Sequence, residues 1–198
     1  DEVTSGWRMN TGGIHLTYGV NPDIAVFAKG MSNGYAMAAI IGRRDVMDAA
    51  QTSFISSTYW TERIGPAAAL ATINKHRSQN VARHLIDVGT RVQSGWKQAA
   101  TRTGLKIHAD GIAPLSHFTL SYDSEAALAT LFIQSMLERG FLAGTYFYAS
   151  YAHQPYHIDS YLGAVEEVFG MMADAHKQGK VEHLLRGPIR HSGFQRLN

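Results

Sequence analysis

The sequence predicts an α/β chain whose C-terminal part turns into an α+β arrangement. Short apolar runs near the start are bounded by turn residues, as in Ile24-Ala25-Val26-Phe27-Ala28 between Asn21-Pro22-Asp23 and Gly30. Runs of this length read as strands buried on both faces, of the kind found in parallel sheets. A helical stretch covers residues 61–100, and strand, strand, helix, strand and helix signals follow over 105–177.

The elements are justified in order. Ala38-Ala39-Ile40-Ile41-Gly42 reads as a second buried strand, and residues 43–50 as a short helix that Arg43-Arg44 opens to solvent. Ala67-Ala68-Ala69-Leu70-Ala71-Thr72-Ile73 has high helix propensity. Val81, Leu85, Val88 and Val92 continue at helical spacing toward Trp96, with a break expected near Ser78-Gln79-Asn80. Gly104 marks a stop. Leu105-Lys106-Ile107-His108 and residues 115–122 are expected as strands. Asp123 or Ser124 caps a helix through Arg139, which Gly140 ends. Phe141-Leu142-Ala143 is expected as a short strand. Ile158, Tyr161, Leu162, Val165, Val168, Phe169 and Met172 mark an amphipathic last helix. The tail 186–198, with Arg186, Arg190 and Arg196, is expected to be only partly ordered. The domain organisation expected is 1–103, part of a large domain with connecting helices, and 104–198, a small α+β domain and tail.

Composition narrows the function classes. The chain has 198 residues, 45% hydrophobic and 17% charged, enough for a substantial core. Eighteen basic against 16 acidic residues give a net charge of +2, too balanced for bulk binding to nucleic acid or a membrane surface. There is no cysteine, hence no disulfide framework and no thiolate metal site, which fits a cytoplasmic protein. No apolar run reaches the length of a membrane span. Ten histidines invite a metal reading, but Pro155 separates His153 from His157, and no partner carboxylate cluster stands out. No metal site is expected. Neither a P-loop nor a G-x-G-x-x-G motif occurs. Tyr146, Phe147, Tyr148, Tyr151 and Tyr156 lack a basic stripe and read as pocket wall or core.

Lys29 draws attention by its setting. A lone lysine is ordinarily a solvated surface residue. Here Val26-Phe27-Ala28 precedes it and Gly30 follows, which places the amine at the end of a buried strand, where ligands bind in open α/β sheets. Burial lowers a lysine pKa and favours the neutral, nucleophilic amine. Gly30 and Gly34 let the backbone turn tightly after it, and Asn33 and Tyr35 stand within reach of the same place. Asp1, Val3 and Thr58 alone would be a turn acid, a core residue and a cap.

Together these residues resemble a known family. Asp1-Glu2-Val3 followed by Ser5-Gly6-Trp7-Arg8 resembles the D-E-V-x-x-G-[FW]-R segment of class III pyridoxal-phosphate aminotransferases. Phe27-Ala28-Lys29-Gly30 is similar to their Schiff-base lysine segment, and Ser57-Thr58 before the Ala-rich helix to their phosphate-binding Thr. Met136-Leu137-Glu138-Arg139-Gly140 and the pattern from Ala152-His153 to Ile158-Asp159 point to the glutamate-1-semialdehyde aminomutase-like group. One departure stands out. After Thr58 the family usually has Ser-Gly-Asn-Pro, where this chain has Tyr59-Trp60-Thr61-Glu62-Arg63, a changed wall.

The resemblance implies a fold-type-I pyridoxal-phosphate transferase, represented by part of its large, mostly parallel sheet domain and its small C-terminal domain. It implies pyridoxal 5′-phosphate as cofactor, Lys29 as the Schiff-base and proton-shuttling residue, and Asp1 as partner of the pyridinium nitrogen. It further implies Val3 against the ring face and Thr58 donating to a phosphate, in the neighbouring subunit's site of a homodimer. The expected activity moves an amino group on a small amine or amino-acid substrate, as an aminotransferase or aminomutase. The alternative, kept open by Tyr59-Trp60, is a catalytically inactive binding or regulatory protein of the same fold. The family's glycine-rich phosphate loop and ring-stacking aromatic are not found here, and the opening at Asp1 reads as lying inside a longer protein.

Overall fold

The computed structural model describes residues 1–191. They divide into two compact units, one spanning Asp1–Ile86 and one beginning at Asp87.

In the first unit, β1 (Ile24–Phe27) pairs antiparallel with β2 (Ala39–Gly42), Ile24 opposite Gly42 and Phe27 opposite Ala39. The expected buried, parallel-type strands are therefore corrected for this pair. The connection explains it. A 3-10 turn at Lys29–Met31 and positive φ at Asn33 (50°) and Gly34 (100°) fold the chain back, so consecutive strands meet antiparallel. Ala25 and Phe27 are buried, whereas β2 is largely exposed. The short helix expected next changes type midway, from α1 (Arg44–Met47) to a 3-10 helix, Asp48–Thr52. α2 (Ile64–Ser78) and α3 (Val81–Thr103) break at Asn80, φ 48°, as expected. The core of this unit is Ala25, Phe27, Met31 and Ala69, with Trp7, Met37, Ala39 and Ile73 against it.

The second unit is built on the antiparallel sheet β3 (Ile107–Asp110), β4 (Leu115–Leu120), β5 (Tyr146–Tyr148), in that order. β4 alternates cleanly, with Ser116, Phe118 and Leu120 buried and His117 and Thr119 exposed, the pattern of a sheet covered on one face. α4 (Glu125–Glu138) and α5 (Pro155–Lys177) supply the cover. Phe118 lies at the centre. Trp96, Phe132 and Phe169 meet its ring edge to face at centroid distances of 5.0, 5.2 and 5.5 Å, each contributing about 1 kcal/mol beyond its buried area. The spacing seen in the sequence is the buried face of α5: Ile158, Tyr161, Val165, Val168, Phe169 and Met172.

Two boundaries move. β3 starts at Ile107, because the Leu105 N–H is used on the Ala100 carbonyl at the end of α3. The strand expected at residues 141–143 lies instead at Tyr146–Tyr148. There the Phe141 N–H is spent on the Met136 carbonyl, closing α4 around Gly140 at φ 84°, a left-handed helix end that glycine accommodates. The described part of the tail is tied to α4. The backbone N–H groups of Arg186 and Arg190 donate to Gln134 Oε1 (2.8 Å) and Thr130 Oγ1 (3.0 Å), and Arg186 pairs with Glu138. This straps the tail along α4. Arg196 lies outside the described residues.

Candidate active site

The opening segment runs beside β1. The Glu2 N–H donates to the Val26 carbonyl at 2.8 Å. Gly6 is buried under Phe27, where an added Cβ would stand 2.8 Å from the Glu2 carbonyl oxygen and 3.0 Å from the Phe27 ring. The Trp7 ring meets Phe27 edge to face at 5.1 Å. The sequence signal D-E-V-x-x-G-W thus has a local cause: small Gly6 permits the close approach, and Trp7 and Phe27 seal it.

Glu2 is the hub of this segment. Its carboxylate, 5% exposed, accepts from Ser5 Oγ, Ile14 N (3.0 Å), His15 N (3.0 Å) and His15 Nδ1 (2.8 Å). Burial pushes its pKa up. The hydrogen bonds from Ser5, the His15 and Ile14 amides and the His15 ring outweigh burial and bring it down to about 2.

Lys29 follows β1 and heads the 3-10 turn. Its φ is 44°, a left-handed conformation that a residue with a Cβ rarely adopts, and its Nζ donates to Thr4 Oγ1 at 2.6 Å. The expectation of a buried amine is corrected: Lys29 is exposed. Asp1 is also exposed, and its Oδ1 accepts the Val3 N–H at 2.7 Å. Val3 is half-buried. The structure therefore joins the Asp1 and Lys29 segments by two hydrogen bonds, Glu2 to Val26 and Lys29 to Thr4. No such link to Thr58 occurs among the described residues. Thr58 opens an exposed turn in a wholly exposed stretch, 51–61. Phe54 is 96% and Trp60 71% exposed there.

Several working residues escaped the sequence reading. Glu62 caps α2, accepting from Ile64 N (2.6 Å) and Gly65 N (3.1 Å), and these bonds lower its pKa. Thr4 and Glu2 lie within the quoted motif, so the motif was the available signal. Asn33 takes part through its backbone turn, and Tyr35 is exposed. Tyr146 and Tyr148 are exposed on β5, while Phe147 stacks on His153 at 5.0 Å. Among the described residues, no group of three His, Asp or Glu side chains converges as metal ligands would. No helix there is long and apolar enough to cross a membrane.

The fold matches solved transaminases. A structure of the FumI protein of Sphingopyxis sp. MTA144, described as its PLP internal aldimine form, superposes with a TM-score of 0.82 at 23% identity, covering 89% of this chain and 43% of that one. An omega-transaminase from Sphaerobacter thermophilus gives 0.78 at 20% identity, covering 88% and 44%. The fold is that of the fold-type-I PLP-dependent transaminases. Aminotransferase class-III matches residues 1–145, and this chain belongs to that family. Among curated relatives, the 2'-deamino-2'-hydroxyneamine transaminase of Streptomyces kanamyceticus is 32% identical over 146 residues, 73% of this chain and 37% of that protein. A glutamate-1-semialdehyde 2,1-aminomutase of Desulforudis audaxviator is 31% identical over 186 residues, 85% of this chain and 43% of that protein. The chain thus spans less than half the length of these relatives. Their names give no support to the inactive alternative.

Proposed function

We propose that this chain is part of a pyridoxal-phosphate-dependent aminotransferase or aminomutase acting on a small amine or amino-acid-like substrate. One observation carries the reading. Lys29 stands in a strained left-handed conformation at the end of β1, its amine held by Thr4 of the Asp1-Glu2-Val3 segment. Strain of this kind costs about 1–3 kcal/mol and clusters at functional sites. The donor set fits the cofactor: a primary amine for its aldehyde carbon and a carboxylate for its ring nitrogen, on segments tied together. When bound, the cofactor supplies the electron sink that makes a proton on the substrate carbon acidic.

In this reading Lys29 Nζ takes that proton and returns it, with Thr4 Oγ1 orienting the free amine. Asp1 would pair with the cofactor's ring nitrogen, Val3 would pack against the ring face, and Thr58 would donate to the phosphate in a neighbouring subunit's site. The exposed Phe54, Ile55, Tyr59, Trp60 and Ile64 around Thr58 support a homodimer, because clustered exposed apolar side chains mark interaction surfaces. The proposed boundary between cofactor domain and small domain is 103/104, at the end of α3, whereas the two compact units part within α3 after Ile86. A cytoplasmic site of action rests on the sequence alone. The test is borohydride reduction of the full-length protein loaded with pyridoxal phosphate, followed by peptide mapping. Label on Lys29 is expected, and label on another lysine would refute the assignment.

The substrate follows from a gap. No arginine occurs between Arg139 and Arg186, so the stretch around Tyr146–Tyr148 offers no guanidinium fork for a carboxylate. Exposed Tyr146 and Tyr148 give that stretch a bulky, weakly polar face. Poor turnover with 2-oxoglutarate as acceptor is expected. Efficient transamination with it, unaffected by substituting arginines elsewhere in the full-length protein, would count against this.

A further inference from the structure

We infer that His76 is a positioning residue for the Lys29 site, acting through the backbone of Trp7. The inference rests on the function proposed above. His76 follows Ala69 and Ile73 on the inner face of α2, and it is 5% exposed. A histidine there needs partners for both ring nitrogens. It has them: Nε2 lies 3.1 Å from the Trp7 carbonyl oxygen and Nδ1 2.8 Å from Thr11 Oγ1. A carbonyl only accepts, so Nε2 carries the proton. Burial lowers the pKa of the ring and favours its neutral form, so Nδ1 accepts the Thr11 hydroxyl.

What this bond holds is an unfavourable conformation. Trp7 has φ 56°, which a tryptophan does not adopt unless its surroundings over-determine it. Its N–H is fixed on the Gly12 carbonyl at 2.8 Å and its carbonyl on His76. Both backbone groups of the strained residue are therefore tied, one of them by the imidazole. From Trp7 the path to the lysine is short. The Trp7 ring packs on Phe27, two residues before Lys29. The carbonyl of the preceding Gly6 faces Gly30, 3.3 Å from where a Cβ on Gly30 would stand. Thr4, which holds the Lys29 amine, lies in the same segment. A relaxed Trp7 would move the Gly6 carbonyl and free the segment that carries Asp1 and Thr4.

The experiment compares His76→Leu, which keeps the volume and loses both hydrogen bonds, with His76→Gln, which keeps a donor and an acceptor. Both are made in the full-length protein, with Val165→Ala in the second unit as a control of lowered stability. Amide hydrogen exchange of residues 6–13 is measured without cofactor, and pyridoxal phosphate affinity by absorbance titration. For His76→Leu, exchange about tenfold faster at these residues and affinity about tenfold weaker are expected. His76→Gln should stay within about threefold of wild type and Val165→Ala should change neither. Unchanged exchange in His76→Leu overturns the clamp, and faster exchange with unchanged affinity overturns the positioning role. Equal losses in the Leu and Gln variants assign the effect to ring shape and overturn the inference as well. A wild-type protein that takes up no pyridoxal phosphate overturns the proposed function, and this role of His76 with it.

Discussion

Lys29→Ala should cut turnover of the full-length protein by at least about a thousandfold, because a covalent and a proton-transfer role disappear together. The fold should survive. The lysine side chain is exposed, and its hydrogen bond to Thr4 lies at the surface. Such a bond contributes at most about 1 kcal/mol. Alanine carries the same Cβ into the left-handed region, so the backbone strain is unchanged. Single-turnover kinetics and thermal melting measured side by side check the prediction. Retained turnover would remove Lys29 from the mechanism, and a collapsed melting curve would give it a structural role.

Glu2→Ala should destabilise the protein by about 3–5 kcal/mol, since it strips the acceptor from a set of donors in a partly buried loop. The amides of Ile14 and His15, the His15 ring and Ser5 Oγ would all lose their partner. The same carboxylate makes stability depend on pH. Its folded pKa is lowered to about 2 from 4.5. A depressed carboxyl pKa contributes stability that is fully present above about 4.5 and lost as pH falls toward 2. Allowing for solvent screening, the loss is on the order of 2 kcal/mol. Urea midpoints at pH 7 and pH 3 measure it. Glu2→Gln, which cannot titrate, should show a shallower fall between the two, and an equal fall would place the acid sensitivity elsewhere.

The sequence made the helices legible and the strands less so. The apolar faces of α3 and α5 stand at helical spacing, and the helix ends expected near Asn80, Gly104 and Gly140 fall at residues with positive φ. β1 and β2 were visible as apolar runs, but run composition does not report strand direction. That was decided by the turn at Lys29–Met31 and the positive φ of Asn33 and Gly34. β5 was misplaced because Phe141 looks like a strand residue and is spent on closing α4. Among the candidate site residues, Lys29 and Asp1 were proposed through a motif, and the joining of their segments by Thr4 and Glu2 was not foreseen. Those two links depend on a carbonyl and a hydroxyl that no spacing rule identifies. His76 was hidden for a related reason, since a buried histidine and a solvated one look alike in a list of residues.

The left-handed backbone at position 29 sets stability against use. Of all residues, glycine would sit there with least strain, and it would be favoured by roughly 1 kcal/mol over any side chain with a Cβ. A library selected for thermal resistance alone should therefore drift toward Lys29→Gly and discard the amine. In this chain the residue least suited to its own φ is the one proposed to carry the chemistry, so selection for robustness needs a catalytic readout beside it.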